Sequence, residues 1–162
     1  MVNSRQKGNR AELLVIDMLA RHTQLPFQQT PGSGSGKIKG DIYLMHHSNV
    51  FCIEVKFYKD DAISTKVFTN KSNNFVQWWA KLVKQAEDMK LKPLLFFKAN
   101  HAQFFVATTI KPEHVDYMYI SWLGAYVCLA EKWLELENIG FTYGETIYRP
   151  WEAPRERELT DS

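Results

Sequence analysis

Residues 50–57 read Val-Phe-Cys-Ile-Glu-Val-Lys-Phe, and this stretch predicts both a central strand and a site of chemistry. Successive side chains of a β-strand point to opposite faces, so one face of this strand is wholly apolar and fits against a helix. Its members are Phe51, Ile53, Val55 and Phe57. The opposite face ends in Glu54 and Lys56, and a carboxylate and an ammonium are costly to bury without a purpose.

A second, shorter strand over residues 41–44 precedes it, and residues 46–49 (His-His-Ser-Asn) suit a hairpin turn between the two. If the strands pair antiparallel, Asp41 comes to lie beside Glu54. Two carboxylates next to Lys56 predict a Mg²⁺ site, since Mg²⁺ takes oxygen ligands and is often held by one or two carboxylates. Such an ion polarises a phosphate and activates water, while the lysine orients that water or neutralises developing charge.

The rest of the chain supplies alternating helices and strands. A helix is predicted over residues 4–22, with Glu12 beside an apolar stripe of Ala11, Leu14, Val15, Met18 and Leu19. Further elements are a strand at 27–30, a glycine-rich loop at 31–40, a helix at 75–90, strands at 94–98, 103–108 and 126–129, and a helix at 131–138. Pro93 is expected to separate the second helix from the strand after it. This order predicts an α/β fold with one central mixed sheet flanked by helices.

Length and composition favour one globular domain. The 162 residues are 45% apolar, and we expect a single domain over 1–150 with a flexible charged tail at 151–162. Cys52 and Cys128 lie in apolar runs and are expected to be buried hydrophobes in a reducing environment. No apolar run is long enough for a membrane span and the N-terminus lacks a secretory signal, so we expect a cytoplasmic protein with no membrane partner. We also expect no small-molecule cofactor.

The charge is unevenly distributed along the chain. Residues 1–100 carry 15 Lys and Arg against 8 Asp and Glu, whereas residues 101–162 carry 5 against 10. A basic front half favours an anionic partner such as nucleic acid. The expected DNA-contacting residues are Arg5, Lys7, Arg10, Ser35, Lys37, Lys39 and Lys59, with Lys66 and Lys71 as further phosphate contacts.

The array of Glu12, Gly40-Asp41-Ile42 and Glu54-Val55-Lys56 resembles the PD-(D/E)XK nuclease superfamily. Within it, the chain most resembles the archaeal-type Holliday junction resolvases, which also occur in viruses. The likeness extends to the helix segment Lys7-Gly-Asn-Arg-Ala-Glu12 and to the loop Ser33-Gly34-Ser35, and it covers residues 5–98. Residues 110–162 carry no part of it.

The resemblance implies a restriction-endonuclease-like core and a role for each motif residue. Asp41, Glu54 and the Val55 carbonyl are implied as metal ligands, Glu12 as the residue that completes the acidic cluster, and Lys56 as the catalytic lysine. Ser33 is the implied loop serine near the cleaved phosphate, with Ser35 as an alternative. Gln77 is the implied glutamine of the second helix, with Gln85 as an alternative.

The implied activity is that of a Mg²⁺-dependent endodeoxyribonuclease, with Mn²⁺ able to substitute. As a homodimer it would resolve four-way DNA junctions by paired symmetric nicks, through hydrolysis by metal-bound water that leaves a 5′-phosphate. Two alternatives stay open: a nicking endonuclease or exonuclease of replication and repair with the same fold, and a non-catalytic DNA-binding module.

Overall fold

The computed structural model describes residues 4–31 and 40–143, and this part of the chain forms one seven-stranded sheet with helices on both faces. The helices are α1 (Ser4–Thr23), α2 (Asn74–Met89) and α3 (Ala130–Leu136). The strands are β1 (Phe27–Gln29), β2 (Ile42–Leu44), β3 (Phe51–Tyr58), β4 (Lys92–Ala99), β5 (Phe105–Thr108), β6 (Met118–Ile120) and β7 (Ala125–Leu129). Short 3₁₀ helices span Thr65–Phe68 and Ser121–Leu123.

The sheet is mixed, as predicted. Its strand order is β1-β2-β3-β4-β5-β7-β6, in which β3 and β4 run parallel and every other neighbouring pair runs antiparallel. Parallel neighbours need a crossover, and α2 is the helix of the crossover between β3 and β4. Asn73 caps the start of α2 by accepting from the Val76 N–H, and Lys90 ends it in the left-handed conformation.

The predicted alternation of β3 is confirmed, because its two faces belong to different cores. Phe51, Ile53 and Val55 pack with α1 and α3 on one side, while Cys52 packs with α2 on the other. Both cysteines are buried, as expected of small hydrophobes, and burial raises the pKa of each thiol to about 12. The Glu54 and Lys56 face therefore lies on the side of the sheet that α2 covers.

Two local predictions are wrong, and one strand was not predicted. Leu14 is 45% exposed, because the stripe that α1 buries runs through Ala11, Val15 and Leu19 and leaves Leu14 on its flank. Pro93 lies inside β4, where it is tolerated because the Lys92 N–H makes the bond to β3 and pairing with β5 begins only at Leu94. Strand β6 was not predicted, since only three residues form it.

No helix in the described ranges is both long and apolar enough to cross a membrane.

Candidate active site

The β2–β3 hairpin brings two carboxyl groups together, as the sequence predicted. Asp41 immediately precedes β2, and its backbone N–H donates to the Ile53 carbonyl at 2.7 Å. The Val55 N–H in turn donates to Asp41 Oδ2 at 2.8 Å, which fixes the side chain against the edge of β3. In this position the Asp41 carboxyl is hydrogen-bonded to the carboxyl of Glu54.

Gly40 makes the close approach of these strands feasible. Its φ of +89° lies in the region that side chains rarely adopt, and a Cβ at this position would stand 2.6 Å from the Ile53 carbonyl oxygen. A glycine is therefore required directly before Asp41, at the place where the family name has proline.

The electrostatics of the pair are those of two acids sharing a proton. Burial, followed by the charge of the adjacent Asp41 carboxylate, raises the pKa of Glu54 to about 7, although Lys56 and Lys81 act to lower it. Burial also raises the pKa of Asp41, against the Val55 N–H and Lys56, which favour its charged form. Two neighbouring carboxylates cannot both ionise cheaply, so the pair holds a proton where isolated acids would have lost theirs.

Lys56 forms an ion pair with Glu54. Its Nζ lies 3.8 Å from Glu54 Oε1, and its side chain is about one-third exposed at 35%. The ammonium is thus held beside the acidic pair and is also open to a molecule that approaches from solvent. This is the placement that an acid and a base two residues apart in a strand predict.

Glu12 approaches from the other side of the sheet, on α1. Gln29 of β1 positions it, because Gln29 Nε2 donates both to Glu12 Oε1 at 3.1 Å and to Asn9 Oδ1 at 2.7 Å. Partial burial, followed by the charge of Asp41, raises the pKa of Glu12. Sequence reasoning missed Gln29, whose only signal was its place on the strand preceding the glycine-rich loop.

Helix α2 lines the other side of the acidic pair with a polar stripe. Gln77, Lys81 and Gln85 lie at i, i+4 and i+8, and all three line a cavity of about 190 Å³ with Glu54 and Lys56. Both candidate glutamines, Gln77 and Gln85, therefore face the site. Lys81 was missed, yet its charge lowers the pKa of both Asp41 and Glu54.

The donor set fits a divalent cation of the magnesium type. A proton shared by Asp41 and Glu54 marks a position where positive charge is needed, and an ion there would replace it. The Val55 carbonyl points to the same strand edge as the Val55 N–H that binds Asp41, because both groups of a strand residue face one neighbour. In residues 4–31 and 40–143 no group of three or more His, Cys, Asp or Glu side chains is close enough to hold a metal, so Glu12 stands apart from the pair.

The predicted DNA-contacting residues fall in several places. Lys7 on α1 places its Nζ 4.5 Å from the ring centroid of Phe57, near the end of β3. Arg10 is exposed on α1, and Lys59 is exposed directly after β3. Ser33, Ser35, Lys37, Lys39, the Arg5 side chain and the tail at 151–162 lie outside the described residues.

Comparison with known proteins gives three likenesses. Residues 3–133 match the model of the family described as "Phage putative PDDEXK endonuclease". The chain is 39% identical over 122 residues to Protein D14 of Escherichia phage T5, covering 71% of this chain and 76% of that protein. A crystal structure of Archaeoglobus fulgidus Hjc, a Holliday junction resolvase, superposes with a TM-score of 0.42 at 15% identity, covering 76% of this chain and 88% of the other.

The family model spans most of the chain and includes every motif residue from Glu12 to Lys56. The relative from phage T5 adds a second, independent match at substantial identity. With the acidic pair and its lysine in place, these matches establish the superfamily that the sequence resembled. The chain belongs to the phage PD-(D/E)XK endonuclease family.

Proposed function

We propose that this nuclease is a divalent-cation-dependent endonuclease that acts on branched DNA, with the four-way junction as its preferred substrate and a homodimer as its active form. The observation that carries the metal-dependent part is the proton-sharing pair of Asp41 and Glu54 with Lys56 alongside. Junction preference is supported by the Ser-Gly-Ser loop and by the Arg- and Gly-rich start of α1, which resemble those of resolvases.

In this mechanism Asp41, Glu54 and the Val55 carbonyl would hold the cation. A divalent cation bound there would neutralise charge on the scissile phosphate and lower the pKa of coordinated water. Lys56 donates to a phosphate oxygen or to the attacking water, because its ammonium is both beside Glu54 and open to solvent. Glu12, held by Gln29, accepts a hydrogen bond from that water on the α1 side.

Paired nicks follow from symmetry. A four-way junction is close to two-fold symmetric, and a dimer with an isologous interface presents two identical sites at a fixed separation. Selectivity for shape over base sequence then comes from the spacing of the two sites and not from contacts with base edges.

The test compares cleavage of a labelled four-way junction with cleavage of a linear duplex of the same sequence, with Mg²⁺ and with Mn²⁺. Wild type should nick the junction symmetrically, while Asp41→Asn should bind it and leave it intact. Asp88→Asn, an exposed acid on α2, is the matched control and should cut like wild type. Equal digestion of the duplex would favour a replication or repair nuclease of the same fold, and binding without cleavage by wild type would favour the non-catalytic module.

The dimer is tested by mixing subunits. Wild type exchanged with an excess of Asp41→Asn should produce heterodimers that make single, unpaired nicks. If the mixture still yields only paired nicks, in proportion to the amount of wild-type protein, the proposal that the active form is a homodimer of exchangeable subunits is contradicted.

A further inference from the structure

A second cavity, of about 300 Å³, opens on the same face of the sheet as the acidic pair. This volume lies at the lower end of the range for small-molecule sites, about 300–1,000 Å³. Its lining is mostly apolar and lies at the carboxyl end of β4. The lining residues that matter here are Asp61, Ile63, Phe97, Lys98, Phe105 and Met118.

This second cavity is adjacent to the 190 Å³ cavity beside Glu54 and Lys56, called the catalytic hollow below. In the parallel pairing of β3 and β4, Lys56 lies opposite Phe97, and directly paired residues point to the same face. Neighbouring strands lie about 4.8 Å apart, so the cavity begins one strand away from the catalytic lysine. Tyr58, two residues after Lys56 on this face, is 43% exposed and contacts the Trp78 ring, which lines the catalytic hollow.

The shape of the lining suits a flat aromatic ligand. The buried ring of Phe97 packs nearly parallel to that of Phe105, with 25° between their planes and 5.9 Å between centroids, so Phe105 is the ring of this pair that a ligand can reach. Phe105 and Met118 keep more than a third of their surface exposed at the rim. Aromatic and apolar side chains of this kind stack on the faces of unpaired bases, which every base presents.

The charge of the lining favours a base over a phosphate. Asp61 places a carboxylate at the cavity, which repels a phosphate and accepts hydrogen bonds from an exocyclic amino group. Lys98 does not neutralise it, because its ammonium lies over the rings of Phe57 and Phe104 on the α1 side of the sheet.

We propose that this cavity binds one unpaired nucleobase of the DNA substrate beside the phosphate that is cut, and that it prefers a base with an exocyclic amino group. The inference rests on the proposed function, since it takes the ligand to be the nuclease's own substrate. An opened base at a branch point is such a ligand, whereas a base in an intact duplex stays stacked.

The test measures binding by Asp41→Asn protein, which does not cut, to branched oligonucleotides that differ in one unpaired position. Adenine, thymine or an abasic residue is placed at successive positions around the branch point, and affinity is measured by fluorescence anisotropy. At the position that enters the cavity, adenine should bind roughly 5- to 100-fold more tightly than the abasic residue. It should also bind more tightly than thymine.

Variants in the Asp41→Asn background separate the cavity from general DNA affinity. Phe105→Ala should abolish the difference between adenine and the abasic residue, and Phe105→Trp should keep it. Asp61→Asn should narrow the difference in affinity between the adenine and thymine oligonucleotides, because an amide can also donate a hydrogen bond to a carbonyl oxygen of thymine. Tyr119→Ala removes an exposed ring from the other face of the sheet and should change neither difference in affinity.

Two outcomes distinguish this inference from the proposed function. If adenine and the abasic residue bind equally at every position while wild type cuts the junction, the base site is refuted and the nuclease stands. If wild type cuts no DNA but the base preference and its loss in Phe105→Ala are seen, the base site stands and the proposed reaction is refuted.

Discussion

Gly40 is the residue on which the geometry of the acidic pair depends most directly. Gly40→Ala would force a Cβ to 2.6 Å from the Ile53 carbonyl oxygen at a φ of +89°, so we expect it to lower the free energy of unfolding by about 2 kcal/mol or more. Gly8→Ala is the matched control: in helix α1, with no heavy atom near its added Cβ, it should raise stability by about 0.5–1 kcal/mol. Urea denaturation measures both, and equal effects would contradict the close-approach argument.

Glu54 links the acidic pair to pH. Its pKa of about 7 exceeds the ordinary value of 4.5, so the folded protein binds more protons than the unfolded chain between these values. The free energy of unfolding of the metal-free protein should therefore fall as pH rises from 4.5 to 7. Glu54→Gln removes this loss and should be more stable than wild type by about 1–3 kcal/mol above pH 7, with no advantage below pH 4.5.

The measurement is chemical denaturation of metal-free protein at pH 4, 5.5, 7 and 8. Glu87→Gln, an exposed acid on α2, should follow wild type at every pH. A Glu54→Gln advantage that is the same at all four pH values would mean that packing, and not the shared proton, causes it.

At the scale of elements, α2 contributes charge as well as apolar cover. Lys81 lies between Gln77 and Gln85 in the stripe that faces the acidic pair, and its charge favours ionised Asp41 and Glu54. We expect Lys81→Met to lower the rate of DNA cleavage on the order of tenfold, because it removes a positive charge near the developing charge of the phosphate. Lys84→Met, three residues further along α2 and outside the cavity lining, should leave the cleavage rate unchanged. Equal losses of rate in the two variants would mean that Lys81 acts only through general attraction of DNA.

The elements that sequence predicted well are those whose local pattern is strong. The helix at 75–90 was predicted, and Phe75, Trp79, Leu82 and Ala86 form its buried side. The alternation of β3 and the hairpin turn before it were enough to place Asp41 beside Glu54. Strand β6 was not predictable, because its three residues owe their pairing to β7 and to the long-range packing of the sheet.

A polar cluster joins α1 to α3. Glu131 accepts from Arg21 Nη2 at 2.8 Å and lies 2.7 Å from His22 Nε2. Burial alone would raise the pKa of Glu131, but the hydrogen bonds from Arg21 and His22 outweigh it and lower that pKa below its ordinary value. The ionised form is therefore the one that the folded state stabilises.

Glu131→Gln should lower the free energy of unfolding at pH 7 by about 0.5–1 kcal/mol, because the pair is half-exposed and screened. The stabilisation is present above pH 4.5 and is lost as pH falls through the lowered pKa, so the difference from wild type should vanish in acid. High salt should shrink it as well. Glu135→Gln, on the same helix, is the control, and an equal effect there would attribute the loss to helix propensity.

At the scale of the whole molecule, the fold class and the acidic pair could be predicted from the sequence, but the contacts between distant elements could not. Gln29 and Lys81 come to the site from β1 and α2, and no spacing along the chain connects them to Asp41. The two faces of the central sheet are covered by this chain's own helices. Phe96 and Phe97 are buried on opposite faces by this chain's own helices.

The uneven charge of the chain predicts where DNA binds. Residues 31–40 carry Lys37 and Lys39 in the basic front half, and lysines that neutralise phosphates release counterions. In the Asp41→Asn background, Lys37→Ala with Lys39→Ala should make the log–log dependence of affinity on salt shallower by about 2. The control is Lys90→Ala with Lys92→Ala, which replaces two exposed lysines near the start of β4, remote from Lys56 along the paired strands. It should keep the wild-type slope of log affinity against log salt. Equal changes in both double variants would mean that net charge alone, and not the particular lysines Lys37 and Lys39, governs the salt dependence of binding.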